Sequence, residues 1–198
     1  MQLFQSKVHL KSRERETGKV AGGIAADVID QCRNGDRRAQ KAIYDALSSK
    51  MFAVCLRYMG GDRDAAADIL QDGFVTLYTK LDSYSGEGSF EGWARKFFVN
   101  TALMSLRKKD VLRQTEDVDS AWNISTDDPT PIQNIGYQEL CKMIAALPPG
   151  FRTVFNMYVV EGFSHKEIAE ALDISETTSR SQLQRARTLL QNKIKEKL

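Results

Sequence analysis

Between Ser175 and Leu190 the chain sets hydroxyl, amide and guanidinium groups at helical spacing: Thr177, Thr178, Ser181, Gln184, Arg185 and Thr188, with Arg180 and Arg187 beside them. The chemistry open to these groups is hydrogen bonding to nucleic-acid edges. Gln and Arg bond adenine and guanine bidentately, Ser and Thr serve either base, and the Thr methyl meets thymine. On a wheel of about 100° per residue they share one side, while Leu183, Ala186 and Leu190 fall opposite with Ser179 beside them. Arg180 and Arg187 sit at the boundary, placed for phosphates on the groove walls. A solvated amphipathic helix has a similar composition, so what precedes the helix decides between the readings. Ser164 with Glu167 forms the capping-box pattern ahead of a helix over Lys166–Leu172. Asp173-Ile174-Ser175 ends that helix, and Ser175 offers a second N-cap for one that begins at Glu176. Two capped helices around so tight a turn predict a helix-turn-helix that offers its second helix to a major groove.

A second set of groups lies in the N-terminal half. Asp68, Gln71 and Asp72 stand at i, i+3 and i+4 and share a helix face. Two carboxylates there gain nothing from each other, whereas a partner bearing arginines would reward them. Further on, Val99, Ala102 and Leu106 form one stripe, and Trp93, Phe97, Asn100 and Arg107 another, flanked by Lys96 and Lys108. Aromatics interleaved with bases and an Asn suit unstacked nucleobases beside phosphates. The competing reading is that Trp93 and Phe97 fill a helix bundle.

These groups must be positioned by helices. The 198 residues suit one or two domains. Residues 1–23 read as a poorly ordered arm that ends at Gly22-Gly23. From 24 to 109 the pattern is helical and free of proline, divided at Asn34-Gly35-Asp36, Gly60-Gly61-Asp62 and Ser85-Gly86-Glu87-Gly88-Ser89 into four helices of bundle length. Residues 110–136 read as an acidic, flexible linker around Asp127-Asp128-Pro129-Thr130-Pro131. Residues 137–198 form a compact unit of about four helices, broken at Pro148-Pro149-Gly150. The fold class is all-α, with two helical domains.

The net charge is only +2, but it is unevenly spread. Arg95, Lys96, Arg107, Lys108, Lys109 and Arg113 form one basic region, and the stretch from Glu176 onward forms another. Glu116, Asp117, Asp119, Asp127 and Asp128 lie between them, which points to two separate contacts with a polyanion. Cys32, Cys55 and Cys141 lack metal-ligand spacing, and with His9 and His165 the only histidines no metal site is expected. Free thiols fit a reducing cytoplasm, and no apolar run reaches the roughly 20 residues of a membrane span. No phosphate-cradling glycine motif, Glu-x-x-His pair or nucleophile with a nearby base is present, so neither a cofactor nor an enzymatic activity is expected.

Taken together, Asp68-Ile69-Leu70-Gln71-Asp72-Gly73-Phe74, the stretch Tyr84–Phe90, the helix Trp93–Lys109 and the segment Leu147–Arg187 resemble the extracytoplasmic-function (ECF) sigma factors of bacterial RNA polymerase, in their order and spacing. The resemblance spans about residues 25–109 and 137–192. It implies that Asp68, Gln71, Asp72 and Phe74 bind core polymerase at the clamp of the β′ subunit, with the β subunit a further contact. It also implies that Tyr84, Trp93, Lys96, Phe97, Asn100, Arg107 and Lys108 engage the melted −10 element, with Tyr84, Phe97 and Asn100 around an extruded base. Thr177, Thr178, Arg180, Ser181, Gln184, Arg185, Arg187 and Thr188 would read the −35 element. Further implied are a linker that threads the polymerase's RNA path and an anti-sigma factor, which can be membrane-bound, with no membrane insertion of this chain itself. The chain departs from the family at Ala67, where Glu is frequent. It departs again at Ser179, which replaces a core Val and is expected to loosen packing or find a local backbone bond, and at Gln182, which replaces an Arg. The alternative is a stand-alone regulator with a sensing or dimerising bundle, which would bind palindromic duplex without polymerase.

Overall fold

The computed structural model describes residues 24–108 and 136–196. The expectations for the N-terminal arm and the acidic linker lie outside the described residues. Among the described residues every regular element is helical: α1 (Ala26–Arg33), α2 (Arg37–Tyr58), α3 (Arg63–Thr79), a 3-10 turn (Leu81–Ser83), α4 (Phe90–Lys108), α5 (Tyr137–Ala145), α6 (Pro149–Phe155), a π-helical turn (Asn156–Val160), α7 (His165–Leu172) and α8 (Glu176–Lys195).

Helix starts follow from side chains that satisfy otherwise orphaned amides. Asp36 accepts from the Arg38 and Ala39 amides, which holds its carboxyl below the usual range. Asp62 does the same for Asp64 and Ala65 at the start of α3. Both caps follow glycines in the left-handed region, Gly35 at φ +82° and Gly61 at φ +88°, so the first two breaks expected from the sequence are turns running into caps.

The bundle core joins Ile43, Leu47, Met51 and Val54 of α2 with Ala66, Ile69 and Leu77 of α3 and Ala94, Phe98 and Val99 of α4. Helices α3 and α4 approach closely because position 73 is glycine: a Cβ there would lie 2.3 Å from the Phe98 ring. Beside it Phe74 is buried and meets Phe98 edge-on at 5.0 Å. A smaller cluster, Met143, Ile144, Leu147, Phe151, Ala186 and Leu190, holds α5 and α6 to the outer half of α8.

The modules at either end of the sequence meet each other. The core of α1–α4 continues without a break into Val154, Met157, Ile168, Leu172 and Leu183 of the C-terminal helices. Beside this apolar contact runs a polar seam at the end of α2.

Candidate nucleic-acid interface

Helices α7 and α8 are built as their capping residues dictate. Ser164 accepts from the Glu167 amide while the Glu167 carboxylate receives the Ser164 amide, a complete capping box. Asp173 ends α7 in the left-handed conformation at φ 56°, and Ser175 accepts from the Thr178 amide to start α8. The two helix starts fall within one residue of their expected positions.

Helix α8 buries Ser179, Leu183, Ala186 and Leu190 and turns Thr177, Arg180, Ser181, Gln184, Arg185, Arg187 and Thr188 to solvent, with Thr178 half-buried. Its cations are steadied from behind. Arg180 pairs with Glu176 at 2.7 Å, Arg185 lies 6.0 Å over the Phe151 ring and Arg187 lies 5.9 Å over Tyr158. Such contacts restrict a long side chain without consuming its outward N–H donors.

Ser179 takes neither of the courses expected for it. It is fully buried, and its hydroxyl bonds the Nδ1 of His165 at 2.9 Å. Its partner is thus a side chain across the helix-turn-helix, and the pair ties the start of α7 to the buried edge of α8. Tyr158 stacks on the same imidazole at 4.5 Å. Burial, chiefly, and then Arg180 lower the pKa of His165; Glu176 acts in the opposite sense. The sequence reading missed this partnership, although a Ser on an otherwise apolar edge was its visible sign.

In α4 the buried residues Ala94, Phe98, Val99, Ala102 and Leu106 face the bundle. Trp93 and Phe97 are half-buried and in contact at 4.8 Å, Lys96 and Arg107 are half-buried, and Asn100 and Lys108 are exposed. The outer face therefore combines two partly open aromatic rings with an amide and cations, and Arg107 and Lys108 end the helix where its dipole favours positive charge.

Tyr84 does not offer a free ring. It is 8% exposed, packed on Phe90 and Trp93 at 5.1 Å each. Its hydroxyl donates to the Gly88 carbonyl at 2.9 Å, while its own carbonyl accepts from Arg33. Tyr84 is a strut that shapes the loop 85–89 and supports Trp93 from beneath. Burial raises the pKa of its phenol. The more open aromatic surface belongs to Trp93 and Phe97, with the Tyr84 ring packed against Trp93.

On α3, Asp68, Gln71 and Asp72 are exposed on one face, as their spacing requires. Phe74 is not part of that face: at 4% exposure it is a core residue between Tyr44, Tyr78 and Phe98. Its ring lies at the floor of a surface groove. A groove of about 410 Å³ opens between α2 and α3, lined by Tyr44, Ala67, Leu70, Gln71 and Val75 with the buried Phe74 and the half-buried Tyr78. Ala67, where a carboxylate was missed, helps to make this groove apolar.

Cys55 and Cys32 are buried, and burial raises both thiols, Cys55 to about 12. No group of three or more His, Cys, Asp and Glu converges among the described residues, and no described helix is long and apolar enough to cross a membrane.

Fold and site together define an all-α protein of two modules, one ending in a helix-turn-helix and the other presenting aromatic and basic side chains along one helix. Residues 43–111 match the family model of sigma-70 region 2 and residues 137–190 that of sigma-70 region 4, more than half of the chain between them. The chain belongs to the sigma-70 family of RNA polymerase sigma factors, in its extracytoplasmic-function group. It is similar to the ECF RNA polymerase sigma-E factor of Haemophilus influenzae, at 28% identity over 178 residues, covering 84% of this chain and 93% of that protein. The sigma-E factor of Escherichia coli K12 is 26% identical over 179 residues, covering 84% and 92%. A solved structure of the sigma factor RpoE with the anti-sigma factor NepR from Bartonella quintana overlaps at a TM-score of 0.49 and 22% identity, covering 78% of this chain and 96% of that one. The family assignment replaces the stand-alone regulator as a reading of the helix-turn-helix. As a sigma factor, the chain directs core RNA polymerase to promoters.

Proposed function

We propose that the labour is divided among three exposed faces. Helix α8 reads −35 duplex in the major groove through Thr177, Thr178, Ser181, Gln184, Arg185 and Thr188, with Arg180 and Arg187 on the flanking phosphates. Helix α4 receives the melted −10 strand on Trp93 and Phe97, with Asn100 toward a base edge and Lys96, Arg107 and Lys108 along the backbone. Tyr84 shapes the adjoining loop. The face Asp68-Gln71-Asp72 and the apolar groove beside it dock on the β′ clamp of core polymerase, and the β subunit receives the C-terminal module. We place residues 24–109 and 137–198 as the two functional domains, with 110–136 as their connection. The chain works in the cytoplasm, where polymerase and chromosome are, contributes binding rather than catalysis, and is held in check by an anti-sigma factor.

One observation carries this reading: α8 and α4 each bury one complete apolar edge and leave polar, cationic or aromatic groups on the other. Each module alone makes few phosphate contacts and binds weakly. Docked on one polymerase, two weak readings combine through effective concentration. In vitro transcription with core polymerase and a genomic promoter library tests the proposal. Initiation from a shared two-part promoter motif is expected, and no initiation from any template would overturn it.

A further inference from the structure

Ser179 interrupts the apolar edge of α8. It is fully buried beside Leu183, Ala186 and Leu190, and a hydroxyl taken out of water destabilises the fold unless it is hydrogen-bonded. Its partner is the Nδ1 of His165 at 2.9 Å, on the residue that heads α7. That imidazole stacks on Tyr158 of the π turn, with ring centroids 4.5 Å apart and planes 24° from parallel. The guanidinium of Arg187 lies over the Tyr158 ring, 5.9 Å from its centre. Hydroxyl, imidazole, phenol and guanidinium thus form a continuous series of contacts that runs through α8, α7 and the π turn.

The series returns to the helix it left. Ser179 and Arg187 both belong to α8, and their spacing sets them about 12 Å apart along the axis and about 80° apart around it. The two rings run beside α8 from its buried start to its solvent edge, about two turns further on. Tyr158 is 37% exposed, and a ring so placed changes rotamer freely unless a neighbour holds it. Here the imidazole holds it, and the imidazole is itself fixed by a bond to a buried group.

Arg187 depends on this support more than Arg180 does. Arg180 pairs with Glu176 at 2.7 Å, and that carboxylate offsets part of the charge that a phosphate would meet. The positions three and four residues from Arg187 are Leu183, Gln184, Leu190 and Gln191, so its own helix offers it no acid at ion-pairing spacing. A ring face restrains a guanidinium without neutralising it and leaves the N–H donors at its rim open. Burial first, and then Arg180, hold the His165 pKa below its ordinary value, so at neutral pH the imidazole sets no competing positive charge beside Arg187. Full charge, a restrained position and open donors suit a phosphate contact.

We propose that Tyr158, His165 and Ser179 are positioning residues for promoter binding, which hold the Arg187 guanidinium where a backbone phosphate of the −35 duplex meets it. Each acts through the next, and Arg187 alone makes the contact. The inference rests on the −35 reading of α8 proposed above.

The test is a double-mutant cycle on the full-length protein with saturating core polymerase, read as the dissociation constant for promoter duplex at fixed salt. Tyr158→Leu should weaken binding about two- to fivefold, the range of an exposed contact between a cation and a ring, and equally for every promoter sequence. Tyr158→Phe keeps the ring face and should bind as tightly as the wild type. In an Arg187→Ala background Tyr158→Leu should have no further effect. Ser179→Ala, which frees the imidazole, should likewise lose affinity only while Arg187 is present. A merely structural role would lower affinity by the same factor with or without Arg187, and that additive result would overturn the proposal. So would full binding in Tyr158→Leu, or a loss in Tyr158→Phe as large as that in Tyr158→Leu. If Arg187→Ala binds as the wild type does, the phosphate role given to Arg187 falls and the positioning role with it. A loss in Arg187→Ala without one in Tyr158→Leu removes the positioning role alone and leaves the −35 reading standing.

Discussion

At the scale of single residues, the outward half of each functional helix was legible in the sequence because period and chemistry agree there. Arg185 illustrates this: the wheel places it opposite Leu183 and Ala186, and the structure leaves it exposed. Arg185→Ala should weaken −35 duplex binding by the holoenzyme by about 1–3 kcal/mol, concentrated at one base position, as measured by titration against single-base promoter variants. Arg180→Ala or Arg187→Ala should instead weaken all sequences alike and reduce the slope of log affinity against log salt by about one. The burial of Tyr84 and Phe74 was not legible, because a motif gives a residue's place along the chain and not which way its ring turns. Ser179 had no predictable partner, since His165 lies on another helix. Ser179→Ala should cost about 1 kcal/mol by removing a buried hydrogen bond, measurable by denaturant unfolding. The sign of the pH dependence follows from the lowered pKa of His165. The unfolded state takes up a proton there first, so the pair's contribution is complete above about pH 6.5 and fades as pH falls through the folded value. His165→Gln should flatten that fall, and an unchanged pH profile would remove His165 from the account.

At the scale of elements, helix starts were the most readable feature, because a cap is a local bargain between one side chain and two or three amides. Asp36, Asp62, Ser164 and Ser175 each sit at such a start. The π turn was not readable. Its sequence Asn-Met-Tyr-Val-Val continues the apolar run of α6, and its polar contacts are with the distant end of α2, where Asn156 bonds the Arg57 carbonyl. For α3, Asp68→Arg combined with Gln71→Ala should abolish co-purification with core polymerase while leaving the circular dichroism spectrum unchanged, since both side chains are exposed. Gly73→Ala works through packing instead. With Phe98 at 2.3 Å from the new Cβ, overpacking should cost about 1–3 kcal/mol, read as a lower denaturation midpoint.

At the scale of the molecule, two modules were legible from the uneven charge and the proline-bearing linker, but their contact was not. Nothing in the run Phe151-Arg152-Thr153-Val154-Phe155 marks Arg152 as a buried cation, and burial pushes its pKa down to about 10 without discharging it at neutral pH. A matched pair of glycine variants isolates its role. Gly60 and Gly61 both adopt left-handed backbone, so alanine at either should cost about 1–2 kcal/mol in strain. Only at Gly60 does the Cβ also strike Arg152, whereas at Gly61 its nearest contact is 4.0 Å away. Gly60→Ala should therefore melt at the lower temperature, and equal melting would show that the Arg152 bond to the Tyr58 carbonyl at the end of α2 contributes little. The π turn has a consequence of a different kind. It takes up one residue more than an α-helix would use between Asn156 and Glu161, whose amide donates to the Asn156 carbonyl. Without Val159 the glutamate would stand four residues after Asn156, and an ordinary helix would keep it on the same face. Related chains one residue shorter at this point would then keep the pairing of this glutamate with Arg57 on a plain helix, with every DNA-facing group of α8 left in place.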